Sequence, residues 1–224
     1  MAGPRVSAGV TQWVESPEGG RARGPSGLVR AWAEVLVRPR RFFRNGIAPG
    51  DQAPGLAFGV AVALCHAVVR IGVAPGAVPT IGGRPLTSLL MALLAVVLVI
   101  APLALHLAAA LQTVVLIALS AAGVAGERAG VSETVQVVAY AAAPCALSGA
   151  PIPVVVFPAA VYGFLLLAVG IRTVHDLSLP RALLAAALPG AAVFGYGFRG
   201  AWALDRLLAL DPLGPLGPAL PALA

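Results

Sequence analysis

The chain has 224 residues, 59% of them hydrophobic and only 11% charged, with a net charge of +6. A soluble domain carries roughly a quarter charged residues, so a water-facing globule, cytosolic or secreted, is excluded. The mean hydropathy of +0.91 points to a surface that meets lipid.

All 15 basic residues are arginine. A pI of about 10.6 would by itself suit nucleic acid, but the placement of the charge excludes that partner. Eight arginines (Arg5, Arg21, Arg23, Arg30, Arg38, Arg40, Arg41 and Arg44) precede the first apolar span, against four acids (Glu15, Glu18, Glu34 and Asp51). Basic charge beside a span is the cytoplasmic anchor of the positive-inside rule. Cys65 and Cys145 lie within apolar stretches and read as small hydrophobes rather than a disulfide framework. No basic run leads directly into an apolar core with a cleavage site, so the first span is expected to act as its own insertion signal.

Residues 1–25 are rich in Gly, Arg and Ser, lack periodicity and are expected to be a disordered tail. Residues 26–52 read as a basic amphipathic segment at the membrane interface. Ser26 suits an N-cap, and Leu28, Val29, Trp32, Val35 and Leu36 fall on one helical face. Pro39 ends or kinks that pattern, and Arg40, Arg41, Phe42, Phe43 and Arg44 follow. Rings between arginines suit the headgroup layer, so Arg38, Arg40, Arg41 and Arg44 are the candidate contacts to anionic lipid headgroups. The competing reading is a helix packed on its own membrane domain.

Residues 53–200 hold the transmembrane helical domain. The first span covers about Pro54 to Val73. Leu86 to Gly126 contains 41 residues without a charge, where one crossing takes roughly 20. It is therefore two helices meeting near Pro102, or one long kinked helix. Ser132 is a candidate N-cap for the next helix. The prolines at 151 and 153 split Thr134–Ile171 into two spans. Pro180 suits the first turn of a last span ending near Phe198. Residues 201–224 read as a Pro/Leu/Gly-rich tail, irregular from Leu207 onward. Five crossings place eleven arginines inside and four outside; six place ten and five. The asymmetry favours five, with a cytoplasmic N-terminus. The expected fold is an all-α polytopic transmembrane bundle of about five spans, six being the alternative, preceded by the interfacial helix.

Three segments, taken in this order, resemble the Yip1 family of integral membrane proteins, in particular its prokaryotic members. Val35 to Arg44 (Val-Leu-Val-Arg-Pro-Arg-Arg-Phe-Phe-Arg) resembles the basic and aromatic stretch before the family's first span. Gly130 to Pro144 resembles the entry to its third span, with Tyr140 and Pro144 carrying a Tyr-x-x-x-Pro element and Ala139 standing where the family has Gly. Gly170 to Ala182 resembles the loop between its fourth and fifth spans. The resemblance implies five spans, a cytosolic N-terminus and no defined biochemical activity. Eukaryotic members are linked to small GTPases, but their acidic element before the first span is not matched at Asp51–Gly55, so that partnership is not carried over.

No constellation of catalytic, cofactor or metal residues emerges. His66, His106 and His175 are too scattered to suggest convergent ligands. His66 and Arg70 share a helical face but are read as structural, with Arg70 snorkelling. His175-Asp176 reads as a solvated turn. Ser148-Gly149 is the one dipeptide suggestive of a hydrolase; a base such as His66 or His106 would have to converge on it from another helix, and it lacks the glycine two residues earlier. Gln136, Tyr140 and Pro144 share a face beside small alanines, which suits helix packing. Tyr140 and Pro144 are therefore the candidate packing element. The expected function is a non-enzymatic scaffold or adaptor in the cell membrane that binds lipid and a membrane or cytosolic protein, with a homo-oligomer left open. A small transporter or channel using the few mid-membrane polar groups is the rival.

Overall fold

A computed structural model describes residues 24–123 and 129–210, and among these all regular structure is helical. Nearly all of the expected N-terminal tail, and residues 211–224 of the C-terminal one, lie outside the described residues. Helix α1 (Pro25–Val37) is followed by α2 (Pro39–Asn45). The break falls at Arg38 because Pro39 has no N–H to continue the ladder and suits only a first turn. Gly24, not Ser26, is the N-cap of α1. Pro25, pre-set for the first helical position, starts the helix one residue before Ser26.

Helix α3 (Ala53–Val73) is the first span. Next, α4 (Pro85–Ala95), a π-helical segment (Val96–Ile100) and α5 (Ala101–Ala121) run on as one 37-residue helix. Pro102 does not divide it. A proline ring crowds the preceding turn and removes a donor, and the widened hydrogen bonding immediately upstream absorbs both effects. At 1.5 Å per residue this helix is about 55 Å long, beyond the roughly 30 Å of hydrocarbon. A single continuous helix does not double back, so this stretch counts as one candidate crossing, which favours five spans over six.

Helix α6 (Val131–Ala141) passes into a 3₁₀ segment (Ala143–Leu147), then α7 (Pro153–Val174). Helix α8 (Leu179–Gly190) continues as a second π segment (Ala191–Gly197), and α9 (Gly200–Leu208) closes the described chain. Among the described residues, four helical runs are long and apolar enough to cross a membrane. The fifth crossing, α6 with its 3₁₀ extension, is shorter and central. Every residue from Thr134 to Ala143 is buried, so α6 needs no lipid-compatible surface and tolerates Gln136. Gly130 caps it; Ser132, expected as the cap, lies inside the helix. Residues 201–208, expected in the C-terminal tail, are helical in α9. The chain turns into it through Arg199, at φ 63°, and Gly200 packs on Ala160 and the Phe194 backbone.

Candidate functional site

Tyr140 is fully buried on α6 and anchors the core. Its ring meets Phe42 edge-on at 4.7 Å and Phe58 at 5.0 Å. Such pairs contribute about 0.5–1.5 kcal/mol each beyond burial. Phe43 is buried on α2 as well, against Gly170. The rings expected among lipid headgroups thus face protein. The physical reason is geometric: α2 lies along α7, and its aromatic face meets the central helix before it meets lipid. Arg38, Arg40, Arg41 and Arg44 are all exposed, and Arg40 and Arg44 border the same pocket as Phe43.

Two side chains strap α1 to the bundle. The Trp32 indole N–H donates to the Ala143 carbonyl at 3.0 Å, and its ring packs on Phe58 at 5.1 Å. The Tyr162 hydroxyl donates to the Leu36 carbonyl, one of the four acceptors a helix C-terminus leaves open. The sequence placed Trp32 only on the apolar face of α1, and Tyr162 did not stand out, since a lone Tyr carries no pattern.

Toward the start of α6, Gln136 acts as a backbone surrogate. Its Oε1 accepts from the Ala48 N–H at 2.9 Å, and its Nε2 donates to the Ala48 carbonyl at 2.7 Å. The Gly50 N–H donates to Ser132 Oγ at 3.1 Å. His175, expected in a solvated turn, is only 4% exposed and accepts the Ala129 N–H on Nδ1 at 3.1 Å. The turn entering α6 buries it, while Asp176 remains exposed. These bonds bring together the α2–α3 linker, the 129–133 turn and the 172–177 loop. Between them lies a cavity of about 600 Å³ lined by Arg40, Arg44, Arg172, Glu133 and Asp176, with Phe43 and Ile47 among its apolar walls.

The opposite end is held differently. Gly149 packs so closely on α3 that a methyl there would overlap the His66 carbonyl oxygen and come within 2.8 Å of the Arg70 nitrogen. Ser148 is 1% exposed and donates its hydroxyl proton to the Cys145 carbonyl at 2.7 Å. His66 Nδ1 stands 3.1 Å from Ser148 Oγ and 3.3 Å from that same carbonyl. A carbonyl only accepts, which assigns the proton to Nδ1. The pair weighed in sequence as a hydrolase does meet, but the serine proton points at backbone and the facing nitrogen is a donor. Arg199 stacks over the Trp202 ring at 4.1 Å. Burial first, then the charge of Arg70, draws its guanidinium below the ordinary value, though an arginine stays cationic throughout the physiological range.

Midway, Gln112 is fully buried and its Nε2 donates to the Ala185 carbonyl at 3.0 Å. Pro189, inside α8, sits four residues after Ala185 and has no N–H to give it. A side chain on α5 thus satisfies an acceptor that α8 orphans, where an unsatisfied group in lipid costs several kcal/mol. Pro144 takes the first turn of the 3₁₀ segment, since α6 ends at Ala141. Among the described residues, no three His, Cys, Asp or Glu side chains group as metal ligands.

A protein-family model described as the Yip1 domain matches residues 33–198, roughly three quarters of the chain. The chain belongs to the Yip1 family. No curated protein and no solved structure matches it. The Yip1 domain takes in the last turn of α1, all of α2 and the five crossings, and it stops just before α9. The four arginines of residues 38–44, Tyr140 and Pro144 therefore lie within the Yip1 domain, as does Arg172.

Proposed function

We propose that this Yip1 protein is a non-catalytic membrane adaptor whose working surface is the basic α1–α2 arm, held at the cytosolic face of the cell membrane. The observation that carries this reading is the engagement of its interior polar side chains with backbone. Gln112, Gln136 and His66 each tie one element to another, and Ser148 bonds the carbonyl three residues before it, as expected of groups that fix shape. A pathway for solute needs such groups turned toward a water-filled route. The arm leaves Arg38, Arg40, Arg41 and Arg44 exposed while Trp32 and Tyr162 tie it to the bundle. Each arginine near an anionic surface adds about 1 kcal/mol of attraction.

Full-length protein in vesicles of graded anionic content tests this. The arm's amide exchange should slow as anionic lipid rises, and the effect should fade with added salt or after Arg38→Gln with Arg41→Gln. An arm indifferent to lipid charge would remove the reading. So would a solute flux across those vesicles that vanishes with Tyr140→Phe in a folded protein, which would establish a transporter instead.

A further inference from the structure

The cavity at the arm's end of the bundle has the chemistry of a receptor rather than of a surface. Arg40 and Arg44 come from α2, whereas Arg172 comes from the end of α7, on the far wall. No ion pair within the described residues ties any of the three to a carboxylate. Three guanidinium groups facing one volume repel one another and are stabilised by a shared anion, which they bind as planar forks matched to phosphate. Glu133 and Asp176 stand at the same cavity, and Glu133 already accepts from the Ser132 hydroxyl at 2.9 Å. Two carboxylates beside three arginines disfavour a bare, highly charged phosphate. They suit a singly charged phosphodiester whose other substituent offers hydroxyl donors. Phe43, Ile47, Val169 and Leu177 give the cavity apolar wall, where the first carbons of a lipid tail would lie. The volume of about 600 Å³ falls within the roughly 300–1,000 Å³ of small-molecule sites.

We propose that this cavity binds the headgroup of an anionic phospholipid bearing hydroxyls, with the phosphate between Arg40, Arg44 and Arg172 and the hydroxyls donating to Glu133 and Asp176. The proposal rests on the lipid-facing reading of the arm but is separable from it, because Arg172 lies outside the arm and a diffuse charge attraction does not single it out.

The test uses the full chain in detergent and short-chain phosphatidylglycerol as the probe, with binding followed by native mass spectrometry or calorimetry. Short-chain phosphatidylcholine and inorganic phosphate serve as comparisons. Arg172→Gln should weaken phosphatidylglycerol binding about tenfold or more, since a hydrogen bond to a charged group is at stake. Arg44→Gln, on the other wall, should do the same. Arg181→Gln, which removes an equal charge from the same end of the bundle outside the cavity, should change it less than about twofold. Phosphatidylcholine and free phosphate should each bind at least about tenfold more weakly than phosphatidylglycerol. Equal losses in the Arg172 and Arg181 variants would overturn the site, and would leave the arm's response to vesicle charge standing. Phosphate binding as tightly as the lipid would assign the cavity to a soluble anion and overturn the lipid assignment. Phosphatidylcholine binding equally well would show that the apolar wall alone is read.

Discussion

At the residue scale, the clearest lesson is how proline and glutamine act together. Pro189 withdraws a donor from Ala185, and Gln112 on another helix supplies one at 3.0 Å. The two residues are 77 positions apart in sequence, and nothing in either stretch announces the pairing. A test follows from the logic of the bond. Gln112→Leu should cost about 0.6–2 kcal/mol, the range of hydrogen bonds between membrane helices. In a Pro189→Ala background, where α8 recovers its own N–H, the same change should cost almost nothing. A double-mutant cycle read by denaturant unfolding in detergent measures that coupling, and equal costs in both backgrounds would refute the pairing. Tyr140 belongs to the same scale. The sequence suggested it as a packing residue beside small alanines, and the structure places its ring against Phe42 and Phe58. Tyr140→Phe keeps the ring contacts and should cost only about 1 kcal/mol, whereas Tyr140→Ala should cost about 3–5 kcal/mol by opening the centre of the core.

At the scale of elements, periodicity predicted helices that exist but could not say what their faces meet. Phe42 and Phe43 among arginines suit a lipid interface equally well by composition, and the approach of α2 to α7 decides that they face protein. The stretch 86–126 shows the same limit. Its absence of charge predicted membrane helix, but Pro102 is compatible with a break or with a π turn, and packing selects the turn. The arm itself yields a prediction. Trp32→Phe combined with Tyr162→Phe removes both straps while keeping the rings, at about 1 kcal/mol each. Amide exchange of α1 should then quicken by roughly thirtyfold, with α6 and α7 unchanged. Uniform loosening of the whole bundle would show instead that α1 is an integral part of the core.

For the whole molecule, the arrangement of ends agrees with five crossings. The arm, the 129–133 turn and the 172–177 loop meet at one cavity, while Gly149 and Arg199 lie with His66 and Arg70 at the other end. Single cysteines introduced at Gly130 and Ala209, in a background lacking Cys65 and Cys145, should therefore label from opposite sides of a sealed membrane, with Gly130 on the cytosolic side. Labelling of both from one side would contradict the topology.

Composition and charge placement alone determined that this is a multi-span helical membrane protein with a basic segment ahead of its first span. Too few charges exist to face water, and each crossing must close its own backbone hydrogen bonds as a helix. The three resembling segments determined the family as well, because they are local strings of residues. What only the tertiary structure decided are the meetings between distant positions. These include Gln136 with Ala48, Trp32 with Ala143, Gln112 with Ala185, and Arg172 beside Arg40 and Arg44. In lipid an apolar face gains little from one neighbour over another. The pairing of helices therefore rests on close small-residue contacts and a few hydrogen bonds, whose partners the order of residues along the chain does not reveal.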